Sequence, residues 1–146
     1  MNIVIKFLIL LSVFVYSPIV HAHCQVPCGI YDDHSRVHTM LEDAETIHKA
    51  CVMINELAIL EDAHSRQQLA RWVSTKEDHA TKIITMINEY YLTQRIKPEQ
   101  NDYFERLKLH HAVILAAVAV KQNTSKQYAD KLTNTIRSLM RFYPHV

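Results

Sequence analysis

The residues best suited to chemistry stand together near the amino end. His23-Cys24-Gln25-Val26-Pro27-Cys28-Gly29-Ile30-Tyr31 places two thiols four residues apart, beside an imidazole. Cys24 and Cys28 are close enough for one loop to set both thiolates on one ion. If the chain is cut before His23, that residue adds a free α-amine to its imidazole, and the peptide nitrogen of Cys24 becomes a further donor once deprotonated. Two nitrogens and two sulfurs in a plane, with an imidazole above, form a tetragonal set that suits Ni(II) or Cu(II). Pro27 fixes φ, and Gly29, the single glycine of the chain, permits conformations closed to other residues. A Cys24–Cys28 disulfide is the competing reading, because an exported protein meets oxidising conditions. Zinc prefers four side-chain ligands, and no second pair stands nearby.

The cut itself is legible. Lys6 precedes an apolar run, Phe7 to Tyr16, broken by Ser17-Pro18, and Val20-His21-Ala22 follows with small or β-branched residues at the −3 and −1 positions. This is the three-part plan of a secretory signal peptide. Residues 1–22 are therefore expected to be removed and residues 23–146 to form one exported domain, with the hook at 23–31. The run Ala112–Val120 covers about half the span a membrane helix needs, so no membrane association is expected after cleavage.

Composition narrows the classes further. One glycine in 146 residues excludes the glycine-rich phosphate loops and disfavours a hairpin-rich β fold. Lys6 is the only charge in the leader, so the formal net charge of +1 falls to zero in the remainder, and no basic tract supports nucleic-acid binding.

The elements that must position the hook read as helices. Val37, Met40, Leu41, Ala44, Ile47, Cys51, Ile54 and Ala58 recur at three- and four-residue spacing, a stripe from about Asp33 to Leu60 with Asp32 and Asp33 at its start. A polar break over residues 61–65 leads to a second stripe through Leu69, Trp72, Val73, Ala80, Ile83, Ile87 and Tyr90 or Tyr91. Pro98 is expected near the first turn of a third helix whose buried side holds Tyr103, Phe104, Leu107, His111, Ile114, Leu115 and Val118. Asn123-Thr124-Ser125 offers caps before a fourth helix with Tyr128, Leu132, Ile136, Leu139 and Met140 inward. It also matches the N-glycosylation pattern. Four helices of roughly 17 to 28 residues with short links predict an all-α, up-down-up-down four-helix bundle. Cys51, on an apolar stripe, is expected to be a buried, inert thiol.

The motif His23-Cys24-x-x-Pro27-Cys28-Gly29-x-Tyr31 resembles the nickel hook of nickel-containing superoxide dismutases, a family of four-helix bundles. The resemblance implies one nickel ion per subunit, a homohexamer, and disproportionation of superoxide to oxygen and hydrogen peroxide by Ni(II)/Ni(III) cycling. It places the metal ligands on His23 (α-amine and imidazole), Cys24 (thiolate and amide) and Cys28 (thiolate). Tyr31 would screen the metal, and Tyr90 resembles a second pocket tyrosine, with Tyr91 competing for the role. Gln25 stands where some members have Asp. Glu42 or Glu45 and Arg71 are candidates for the acid and arginine that steady the axial imidazole.

Two other readings compete. An exported bundle could hold nickel or copper at its terminus without turnover. A ferritin-like di-iron protein could use Glu45-x-x-His48 and Glu61-x-x-His64, a motif that works when two copies face each other. His34 and His38, one helical turn apart, could share a metal or be solvated helix-start residues.

Overall fold

The computed structural model describes residues 32–145, and the hook residues 23–31 lie outside the described residues. Asp32 opens the first helix as its N-cap: its carboxylate accepts from the His34 backbone N–H at 2.9 Å. Helix α1 is Asp33–Leu57, with the expected residues Val37, Met40, Ala44, Ile47, Cys51 and Ile54 buried. Asp62 caps α2, Ala63–Thr85, by accepting from the Ser65 N–H and hydroxyl. The chain then runs without a break into a π-helix, Met86–Arg95. Helix α3 is Tyr103–Gln122 and α4 is Lys126–Arg137, followed by a 3-10 turn, Met140–Phe142.

Each helix packs on its two neighbours in a ring, α1 on α2 and α4, and α3 on α2 and α4. That is the up-down-up-down four-helix bundle, all-α among the described residues. Ala44, Ala80, Ala117 and Ala129 are fully buried, and their small side chains let the helices approach closely. Ile47, Ile83, Ile87, Leu132, Ile136 and Leu139 fill the space between them. Each such aliphatic side chain contributes about 1.5–3 kcal/mol on burial. No helix of the described residues is long and apolar enough to cross a membrane.

Three expectations are corrected. The inward side of α3 carries His110, Val113, Ala116, Ala117 and Val120, whereas Phe104, His111, Leu115 and Val118 face outward. The run Ala112–Val120 is apolar on every face, so its spacing does not say which face the core takes. Helix α3 begins at Tyr103, and Pro98 lies in the preceding turn, where Gln100 rather than proline organises the backbone: its side chain accepts from the Lys97 N–H and donates to the Arg95 carbonyl. Helix α4 is shorter than expected, because the chain tightens into 3-10 geometry after Arg137.

Within α2, Lys76 occupies a buried position and Val73 is exposed. The Lys76 ammonium donates to the carbonyls of Val120 (2.8 Å) and Lys121 (2.6 Å) and to Glu77 (3.1 Å). These carbonyls stand at the end of α3, where Val120 also accepts from the Asn123 N–H at 3.3 Å, so a cation there adds to their hydrogen bonding and meets the negative end of the helix dipole. Cys51 is a free thiol, and burial pushes its pKa up, with the charge of Lys76 opposing.

Candidate metal centre and its supporting tyrosines

His23, Cys24, Cys28 and Tyr31 lie outside the described residues. The structure describes what stands where that segment joins the bundle. Asp33, two residues beyond Tyr31, is the meeting point of groups from distant parts of the chain. The Tyr90 hydroxyl donates to its carboxylate. Arg95 Nε donates to the same Asp33 oxygen at 2.8 Å, and Arg95 Nη2 donates to the Tyr90 oxygen at 2.8 Å. The Tyr91 hydroxyl donates to the Asp33 carbonyl at 2.8 Å. Adjacent tyrosines thus grip one residue, Tyr90 by its side chain and Tyr91 by its backbone.

The π-helix makes this possible. An i to i+5 repeat turns the chain more slowly than an α-helix, which brings Tyr90, Tyr91 and Gln94 all to the buried side. The widened turn is held by five-residue side-chain bonds, Thr93 Oγ1 to the Asn88 carbonyl (2.6 Å) and Gln94 Nε2 to the Glu89 carbonyl (3.3 Å). Arg36, on α1, lays its guanidinium over the Tyr90 ring at 4.0 Å from the centroid. Two cations and one carboxylate therefore surround the Tyr90 phenol.

Burial, and then the hydrogen bond to Asp33, push the Tyr90 hydroxyl above the ordinary tyrosine range, against the pull of Arg95. Tyr91 is raised further, chiefly by burial. Behind it, Tyr91 packs on Tyr143 (4.7 Å between centroids) and on His110 (5.2 Å). His110 Nδ1 donates to the Arg106 carbonyl at 2.8 Å, so its Nε2 accepts from the Tyr143 hydroxyl at 3.0 Å. Burial holds this imidazole neutral, with its pKa pushed down to about 4.

Glu42, Glu45 and Arg71 are not gathered around Asp33. Glu42 and Glu45 line an open polar groove between α1 and α4 with His38, His48 and Asp130, and Arg71 is exposed on α2. The arginines that the bundle sets against Tyr90 are Arg36 and Arg95. Sequence reading passed over both, since nothing local marks an arginine that reaches an aspartate 62 positions away. The two Glu-x-x-His motifs do not converge. His48 approaches Asp130 at 3.5 Å, Glu61 and His64 are exposed at the α1–α2 link, and no three His, Cys, Asp or Glu side chains gather around a metal position among the described residues. Asn123 donates to the Ala119 carbonyl at 2.8 Å, closing the end of α3.

Comparison with curated proteins and with solved structures gives no match. The family model described as nickel-containing superoxide dismutase matches residues 18–146, a span that takes in the hook and the whole bundle. The chain belongs to the nickel-containing superoxide dismutase family, and with it to the oxidoreductases that use nickel and act on superoxide.

Proposed function

We propose that the mature chain begins at His23 after removal of residues 1–22, is exported, and disproportionates superoxide at one nickel ion per subunit. His23 would hold that ion through its α-amine and imidazole, Cys24 through its thiolate and amide, and Cys28 through its thiolate. The donor set fits the metal: two thiolates and a deprotonated amide place three anionic donors on one centre, which lowers the cost of its higher oxidation state. Bound there, nickel supplies the one-electron chemistry by passing between Ni(II) and Ni(III).

The chain's own residues have two further tasks, to bring in an anion and to manage protons. Two permanently charged guanidiniums, Arg36 and Arg95, stand beside Tyr90, the second paired with Asp33, and are assigned the task of attracting the anion. The peroxide product needs two protons. The Tyr90 phenol retains its proton across neutral pH, and Arg95 fixes the orientation of its oxygen. Tyr31 is assigned the role of screening access to the metal. The observation that carries this reading is the clamp of Tyr90, Arg95 and Asp33 at the point where the hook segment enters the bundle.

The α3 face bearing Phe104, Leu115 and Val118 supports an assembly of subunits, proposed to be a homohexamer.

The test joins mass spectrometry of the mature N-terminus to nickel analysis and a superoxide-consumption assay on one sample. Cys24→Ser and Cys28→Ser are each expected to lose nickel and activity together. Full activity in a chain that keeps one extra residue ahead of His23 contradicts the α-amine assignment.

A further inference from the structure

We propose that His34 and His38 form a second, separate metal site, a two-imidazole chelate for a divalent transition ion of the copper, nickel or zinc type. The two residues are one turn apart on α1, and their Nε2 atoms stand 3.0 Å from each other. Two nitrogens bound at about 2.0–2.1 Å to one ion lie about 2.9 Å apart at a right angle and about 3.3 Å apart at the tetrahedral angle. The observed separation, a hydrogen bond in the metal-free pair, already falls in the range of two ligands on one ion, so binding needs little movement of the rings.

His34 Nδ1 faces the Tyr143 carbonyl at 2.8 Å, and a carbonyl can only accept, so Nδ1 carries a proton and, in the neutral ring, Nε2 presents the lone pair. An imidazole whose far nitrogen donates to a backbone carbonyl is oriented as metal-binding imidazoles are. The carbonyl that holds it is itself fixed, because Tyr143 is buried and its hydroxyl bonds His110. The His145 ring packs edge-on against His34 at 5.2 Å and limits its rotation further.

Without an ion, His38 Nε2–H donates to His34 Nε2. Metal entry takes the place of that hydrogen bond, and the His38 proton moves to its Nδ1, so no net charge is released. His38 is exposed and His34 half-buried, which leaves the shared edge open to solvent. These two imidazoles are the ligands assigned to the ion, and its remaining coordination positions are left unassigned. The positive end of the α1 dipole opposes a cation at this place, and the carboxylate of the N-cap residue Asp32 offsets it.

Zinc(II) alone is the probe. The mature chain, once loaded with nickel and once as the Cys24→Ser, Cys28→Ser double variant, is titrated with zinc while the imidazole nitrogen shifts are followed by NMR. Both proteins are expected to show the same shifts at Nε2 of His34 and His38, so the outcome does not depend on the hook. His38→Ala, a change at an exposed position, is expected to weaken this zinc binding about tenfold or more and to abolish the His34 shift. His64→Ala, at an exposed histidine of α2, is expected to leave it unchanged. Unshifted Nε2 signals in both proteins, or the same zinc affinity in His38→Ala, overturn the proposal. Nickel content is measured separately and reports on the hook alone.

Discussion

Tyr90 and His110 show how one environment, a buried aromatic cluster, fixes two protonation states. Tyr90 keeps its proton because burial and Asp33 both disfavour the phenolate. Tyr90→Phe removes the hydroxyl and leaves the ring under Arg36, so nickel content is expected to hold while the rate of superoxide consumption falls about a hundredfold, the lower range for loss of a positioned proton donor. An unchanged rate, read by pulse radiolysis, would remove Tyr90 from proton management. His110 gives a stability prediction. Its folded pKa, about 4, lies below its unfolded value of about 6.5, so between these limits the unfolded chain binds a proton that the native chain does not. Stability therefore rises with pH through this window, and its contribution is lost as pH falls from about 6.5 to 4. The loss is on the order of 3 kcal/mol as an upper bound. Urea unfolding of His110→Gln is expected to show a flatter dependence over the same range than the parent chain.

At the scale of the helix, the buried Lys76 is the joint between α2 and the end of α3. Lys76→Met keeps the stem in place but withdraws the ammonium from the Val120 and Lys121 carbonyls. Val120 keeps the Asn123 N–H while the Lys121 carbonyl loses its donor, and thermal unfolding is expected to report a loss of about 1–3 kcal/mol, the cost of leaving a part-buried acceptor unmet. A variant as stable as the parent would mean that water replaces the ammonium at no cost. This joint also shows why the elements were unevenly legible. Helix α1 has a polar outer side, so its apolar spacing named six of its buried residues correctly. Helix α2 hides a lysine in its stripe, which periodicity reads as surface, and α3 is apolar all round, which leaves its facing undetermined. The hook could be read because its three donor residues fall within nine consecutive residues of distinctive order. The clamp on Asp33 could not, since it depends on the π-helix turning Tyr90 and Arg95 toward a residue 57 and 62 positions back.

For the whole molecule, the face that sequence reading assigned to the core of α3 is the one left without cover in a single chain. Phe104 is 82% exposed, Leu115 55% and Val118 37%. They follow one another at seven- and three- to four-residue spacings, so they form a stripe along one side of the helix, with His111 between them. Scattered exposed apolar residues are ordinary, but apolar residues aligned on one side of a helix cost free energy in water that burial against a partner surface would recover. One helix thus carries two apolar sides: Val113, Ala117 and Val120 pack inside the bundle, and the opposite side, exposed in the single chain, is the one proposed for assembly. Leu115→Glu places a charge at the middle of that stripe and disturbs nothing buried in the single chain. It is expected to shift the protein to smaller species in sedimentation velocity while far-UV circular dichroism keeps its helical signal. Sedimentation identical to that of the parent chain would mean that the subunits meet through another surface.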